Sequence, residues 1–227
     1  GTMRLRYFPV MAKGLGPALV CEFSGLPWQG PKDLGFTRDE WPRLKASGRC
    51  AFGQLPMLEV DGLTIVQSIA IVNYIGKKAG TEGALGADFA ASQALLAEGE
   101  DLYAALQKFH PTCYVPLGAQ MRDGSFKGDK EANARFLATY VPDHMQKLEK
   151  LLDGKDPKFT STGETVGELY LFAMLHQMCL CIPNLLEPER TPMLKRFYER
   201  LRDDPRTKKV LSGESTYGPW EQYFVSA

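Results

Sequence analysis

The sequence predicts an α/β unit followed by an all-helical unit, joined by a glycine-rich segment. Three observations carry this. Apolar runs at 57–60 and 63–66 flank Asp61-Gly62, the pair best suited to a two-residue hairpin turn. The second run passes into Gln67-Ser68 and then Ile69, Ile71, Val72 and Ile75, an apolar helical series. Beyond Gly80-Thr-Glu-Gly-Ala-Leu-Gly86, which has no periodicity, strand patterns cease and Ala- and Leu-rich helical patterns take over.

Each element has a local cause. Residues 3–10 alternate polar and apolar side chains as a strand does, and Pro9 ends the run. Residues 18–23 read as a helix, with Pro17 acceptable in a first turn. A turn at Gly25-Leu-Pro27 precedes a short strand, and Thr37-Arg-Asp-Glu40 is a capping box opening a short helix that carries Trp41 and Lys45. Pro56 stands at the first hairpin strand, where a missing N–H is tolerable. Ser68 is placed as the N-cap of the next helix, its hydroxyl accepting from a first-turn amide. The free amides and positive dipole end of that helix would suit a carboxylate or phosphate.

Strand, helix, strand, helix, hairpin and helix make a thioredoxin-like unit over 3–79, with a linker over 80–87 and an all-helical domain over 88–227. Within the latter, 88–109 and 131–152 are long helices, the second interrupted at Pro142, whose ring and missing N–H break the helical ladder. Thr165-Val-Gly-Glu168 is a second capping box, and the helix it opens is apolar nearly all round, hence buried. Helices over 192–202 and 205–211 complete the chain, while 110–130 mixes residue types irregularly.

Composition narrows the function. Lys+Arg and Asp+Glu both count 27 in 227 residues, so a net charge of zero offers no electrostatic case for nucleic acid. No apolar run approaches the roughly 20 residues of a bilayer span. No basic-then-apolar leader opens the chain, and Gly1-Thr2 ahead of Met3 is set aside from the fold reading. Five cysteines at 21, 50, 113, 179 and 181 are an odd number without framework spacing, which favours reduced thiols in the cytoplasm. Cys179-x-Cys181 lies in an apolar helix without a second cluster, so it reads as core, and no metal is expected.

Gly53-Gln-Leu-Pro56, a hairpin, then Gln67-Ser-x-Ala-Ile-x-x-Tyr-Ile75 resembles the glutathione-binding core of cytosolic glutathione transferases. The α/β-plus-helical plan extends the resemblance over essentially the whole chain, most strongly from Thr37 to Gly80. It implies a cis bond before Pro56, with Gln54 and Leu55 pairing to the peptide backbone of glutathione as cosubstrate. Gln67 and Ser68 would hold the γ-glutamyl carboxylate. Trp41 and Lys45, four apart and so on one helix face, would hold the glycine carboxylate; alone they read as an indole packed on a lysine stem. Asp101, by default a solvated helix charge, would reach the γ-glutamyl ammonium across a homodimer. Phe52 would be the aromatic key of that dimer.

Tyr7, as a strand residue, is by default core. The resemblance makes it the catalytic tyrosine of a Tyr-dependent enzyme, most like the sigma, mu or pi classes. A thiol of pKa about 8.5 is mostly protonated at pH 7, and a phenol O–H donated to the sulfur would favour the thiolate nucleophile. Met11 and Lys13 stand where many relatives carry arginines, so Lys13 keeps a charge near the thiolate without a planar donor fork. Gly14-Leu-Gly16 replaces bulkier residues, which implies a wider electrophile pocket. That pocket would be lined by Phe8, Met11, His110, Tyr114 and Tyr217, and would take small hydrophobic electrophiles. The resemblance leaves two alternatives, a glutathione-dependent isomerase like the prostaglandin synthases and a non-catalytic module binding hydrophobic ligands or partners. The absence of Cys from residues 7–14 disfavours a cysteine-type redox relative.

Overall fold

The computed structural model describes residues 1–110, 129–152 and 156–225. Strands β1 (Met3–Arg6), β2 (Trp28–Gln29), β3 (Met57–Val60) and β4 (Leu63–Val66) form one mixed sheet in the order β2-β1-β3-β4. β1 runs parallel to β2 and antiparallel to β3, with Leu5 opposite Leu58. Asp61 and Gly62 have φ of 51° and 79°, both left-handed, as the two-residue hairpin requires. The period-2 alternation of β1 buries Met3 and Leu5 completely while Arg4 faces out.

Helices α1 (Leu15–Phe23), α2 (Pro31–Leu34), α3 (Trp41–Ala46) and α4 (Ser68–Ala79) complete the α/β unit. α1 starts three residues before its predicted start, and α2, a single turn opened by Pro31, is not anticipated by the periodicity. At the Thr37 capping box, Glu40 accepts from the Thr37 amide at 3.0 Å. The cap of α4 differs from expectation. Gln67 occupies the N-cap position, and Ser68 is already helical. The Ser68 hydroxyl oxygen accepts from the Tyr170 hydroxyl of the helical domain at 3.3 Å.

That domain is built on α5 (Ala87–Phe109) and α8 (Val166–Cys181), which pack on each other, and α8 also packs on α1. α8 is buried on every face from Val166 to Met178, as its all-round apolar sequence requires, and only its last turn, at Leu180, reaches solvent. Its capping box closes on Glu168, whose carboxylate accepts from the Thr165 amide at 3.2 Å and the Phe159 amide at 2.7 Å. The helix interrupted near Pro142 is observed as α6 (Lys130–Arg135), a π-turn over Phe136–Tyr140 and α7 (Val141–Leu151). The widened turn lies just N-terminal to Pro142, where the ring would otherwise meet the preceding carbonyls. α9 (Pro192–Asp203) and α10 (Pro205–Leu211) follow, and an extended tail returns to β1 through a bridge between Val10 and Glu221. Among the described residues, no helix is long and apolar enough to cross a membrane.

Candidate active site

The elements around α4 converge on a cleft of about 390 Å³. Its floor is the start of α4. Gln67 has φ 75° and ψ 122°, a left-handed backbone that a non-glycine residue holds at a cost of roughly 1–3 kcal/mol. Gln67, Ser68 and Ile69 all line the cleft, so the free first-turn amides and the positive helix end face it. The turn before β3 supplies Gln54, Leu55 and Pro56, and the Leu55–Pro56 peptide is cis. α3 contributes Trp41 and Lys45, the ammonium lying 5.9 Å from the indole ring centre.

The segment after β1 forms the opposite wall, through Tyr7, Phe8, Val10 and Lys13. The Lys13 main-chain amide donates to the Tyr7 hydroxyl oxygen at 3.3 Å. The Lys13 ammonium turns elsewhere, onto the Glu100 carboxylate and 4.3 Å above the Tyr103 ring. Burial lowers the Lys13 pKa, and Glu100 opposes part of that shift. Lys13 pairs with Glu100 and Arg38 with Glu221 at 2.6 Å, so the positive charge that the cleft offers an anion rests on Lys45 and the α4 helix end.

Of the residues singled out in the sequence, Tyr7, Phe8, Lys13, Trp41, Lys45, Gln54, Leu55, Pro56, Gln67 and Ser68 line this one cleft. Others lie elsewhere. His110 is buried behind it, its Nε2 2.8 Å from the Val225 carbonyl, and burial lowers its pKa. Tyr217 is buried too, and its hydroxyl donates to the Phe8 carbonyl at 2.8 Å, so it braces the wall from behind. Met11 faces a separate depression with Leu180 and Trp220. Asp101 is exposed on α5, outside the cleft. Phe52 is 67% exposed on the loop before the cis proline. Tyr114 lies outside the described residues.

The wider pocket expected from Gly14 and Gly16 is not what those glycines create. A Cβ on Gly14 would stand 2.3 Å from the Tyr217 hydroxyl, and one on Gly16 would stand 2.5 Å from the Tyr170 ring. Large aromatic side chains from the helical domain and the tail take the space that the glycines leave.

Sequence reasoning missed Arg38, Glu100, Tyr103, Gln107 and Tyr223, all of which line the cleft. Glu100, Tyr103 and Gln107 recur at spacings of three and four, one face of α5, and that pattern could have pointed to them. Arg38 stands 5.3 Å from the Phe8 ring centre and bonds Glu221 at 2.6 Å, tying the tail over the cleft. Such a tie between residues far apart in sequence leaves no local signal.

Two family comparisons cover most of the chain. The glutathione S-transferase N-terminal domain matches residues 29–77, and the glutathione S-transferase C-terminal domain matches residues 116–214. Glutathione S-transferase 1 of Ascaris suum is 30% identical over 211 residues, which span 92% of this chain and 95% of that protein. The crystal structure of the glutathione S-transferase from Ascaris lumbricoides superposes with a TM-score of 0.75 at 25% identity, covering 93% of this chain and 97% of that one. A monomeric glutathione S-transferase from Necator americanus has the same fold, with a TM-score of 0.76, 23% identity and coverage of 95% of this chain and 98% of that one. With a thioredoxin-like sheet, an all-helical partner domain and a cleft at their junction, this chain belongs to the glutathione transferase family, as an enzyme that takes glutathione as its substrate.

Proposed function

We propose that this transferase is Tyr-dependent, and that it adds the glutathione thiolate to small hydrophobic electrophiles in a cytoplasmic, detoxifying role. The observation that carries the reading is the bond from the Lys13 amide to the Tyr7 hydroxyl oxygen. An N–H donated to that oxygen takes up one of its lone pairs. The hydroxyl lines the cleft, and in the complex its O–H would donate to the sulfur.

Glutathione would lie along the cleft with its γ-glutamyl carboxylate on Gln67, Ser68 and the amides opening α4. Its cysteinyl backbone would pair with the main chain around Gln54 and Leu55, and its glycine carboxylate with Trp41 and Lys45. At neutral pH the peptide carries one net negative charge, which suits the positive charge of Lys45 and the α4 helix end. The electrophile would sit beyond the sulfur, between Phe8, Val10, Tyr103 and Tyr223, with Gln107 able to hydrogen-bond a polar substituent. Attack on an aryl chloride forms the carbon–sulfur bond and expels chloride. The thiol proton has by then gone to solvent.

The test is turnover of 1-chloro-2,4-dinitrobenzene with glutathione, followed by the ultraviolet absorbance of the conjugate. A protein that binds glutathione yet turns over neither this nor any other electrophile in a broad panel would be a binding module instead.

A further inference from the structure

The Lys13 amide reaches the Tyr7 hydroxyl because the chain between them curls back within six residues. The curl is irregular. Ala12 has φ 25°, a left-handed value that a residue with a Cβ keeps only where its surroundings hold it. What holds it comes from outside the thioredoxin-like unit. The Tyr217 hydroxyl, in the C-terminal tail, donates to the Phe8 carbonyl at 2.8 Å and lies 3.4 Å from the Val10 carbonyl. Nearby, the Glu221 amide donates to the Pro9 carbonyl at 2.5 Å. From α8, the Gln177 side-chain nitrogen donates to the Ala12 carbonyl at 3.0 Å and to the Ala173 carbonyl at 3.3 Å. Tyr217 and Gln177 are both buried, so water cannot readily replace either bond.

Tyr217 is itself firmly seated. Its ring stacks on Trp220 at 4.0 Å, and its main-chain carbonyl accepts from the Lys32 amide at 3.2 Å. Gly14 admits it to the curl. A Cβ there would stand 2.3 Å from the Tyr217 hydroxyl and 2.5 Å from the Tyr7 ring, so both tyrosines pack on one backbone position. Burial pushes the Tyr217 pKa well above its ordinary value, and the phenol therefore remains a donor. A hydrogen bond weakens steeply once its angle or length slips, so a phenol that must meet a sulfur depends on whatever orients its oxygen.

We propose that Tyr217 and Gln177 are positioning residues for thiolate stabilisation. From the tail and from α8 they hold residues 8–13 so that the Lys13 amide stays on the Tyr7 hydroxyl. This rests on the role of Tyr7 proposed above. Neither residue lines the cleft, yet together they make the tail and the helical domain part of the device that activates the sulfur.

The experiment follows thiolate absorbance against pH in the binary glutathione complex, with calorimetric glutathione affinity and turnover alongside. The proteins are wild type, Tyr7→Phe, Tyr217→Phe, Gln177→Met, and each of the last two combined with Tyr7→Phe. Tyr217→Phe keeps the stacked ring, and Gln177→Met keeps the side-chain length without the donor. Each should raise the pKa of the bound thiol by roughly half to one pH unit and slow turnover near pH 7 roughly three- to tenfold, the scale of one hydrogen bond. Glutathione affinity should stay as in wild type. In the Tyr7→Phe background neither change should move the thiol pKa further, because both act through the hydroxyl already removed. An unshifted thiol pKa in either folded single variant overturns the inference. So does a rise of equal size in the Tyr7→Phe background, which would mark a packing defect. Should Tyr217→Phe fail to fold, the same two readings of Gln177→Met decide. An unshifted pKa in Tyr7→Phe overturns the functional reading itself. A shift in Tyr7→Phe with none in the other two overturns this inference alone.

Discussion

The Tyr7 hydroxyl oxygen accepts the main-chain amide of Lys13 at 3.3 Å, while the Lys13 side chain is committed to Glu100. One residue therefore acts at the two ends of the wall in different ways. Its amide orients the phenol, and its ammonium is neutralised within the protein. On the placement of glutathione proposed above, this pairing favours Tyr7 over Lys13 as the thiolate-stabilising group, and comparison of variants at the two positions tests it.

Tyr7→Phe removes one oxygen and leaves the ring that packs beside Phe8. Turnover near pH 7 should fall about ten- to a hundredfold, or about 1.4–3 kcal/mol, with glutathione affinity nearly intact. The pKa of the bound thiol should rise, so part of the lost rate returns at higher pH. Lys13→Ala should be milder. Thiolate absorbance against pH, in the binary complex of each variant, measures this directly. An unshifted thiol pKa in Tyr7→Phe would end the case for Tyr7.

Gln67 holds its side chain over the cleft by accepting a left-handed backbone, with φ 75°. Gln67→Ala should weaken glutathione binding by roughly 1.5–3 kcal/mol, one hydrogen bond to a carboxylate. The rate of the bound complex should change less, because the contact is remote from the sulfur and is made equally in ground and transition states. Equal glutathione affinity for the variant and wild type in calorimetry would remove Gln67 as an anchor.

Local chemistry was legible in the sequence wherever a single segment decides it. The Asp61-Gly62 turn, both capping boxes and the buried character of α8 follow from neighbouring residues alone. The cleft was legible where its residues sit at segment junctions, as at Gln67-Ser68. It was not legible where distant segments meet. Gly14 and Gly16 look like open space until Tyr217 and Tyr170 fill it. Ser68 has the chemistry of an N-cap, but the helix begins at Ser68 itself, and its hydroxyl oxygen accepts from Tyr170, a residue 102 positions away. Periodicity also shows that α5 has a face, but not that Glu100, Tyr103 and Gln107 turn it toward the cleft.

Phe52 exposes two thirds of its surface, 67%, on the loop that leads to the cis proline. An aromatic left in solvent at that position suits a key that enters a second subunit. We expect a twofold homodimer and expect Phe52→Ala to weaken it by about 2 kcal/mol or more, the scale of an interfacial hot spot. Sedimentation of both proteins across a micromolar range gives the two association constants. A wild-type monomer throughout that range would dismiss the key and the cross-subunit role of Asp101 together.

His176 offers a pH test independent of the cleft. It is buried on α8, stacked on Phe172 at 5.8 Å, with Nδ1 3.0 Å from the Tyr198 hydroxyl on α9. Burial first, and the nearby Arg202 charge second, lower its pKa to about 4 from an ordinary value of 6.5. In the unfolded chain both causes vanish, so the unfolded state takes up a proton that the folded state refuses. Above pH 6.5 the imidazole is neutral in both states and its full contribution is present. As pH falls from there toward 4, stability is lost, and the loss levels off below the folded value. Converted at 1.36 kcal/mol per pH unit, the difference between pH 7.5 and pH 4.5 is about 2.5 kcal/mol. His176→Gln keeps an acceptor for the Tyr198 hydroxyl and cannot titrate. Urea unfolding of both proteins at the two pH values cancels the carboxylates common to them. The variant should lose less stability than wild type on acidification, by that amount; identical losses would show that His176 is protonated as readily folded as unfolded.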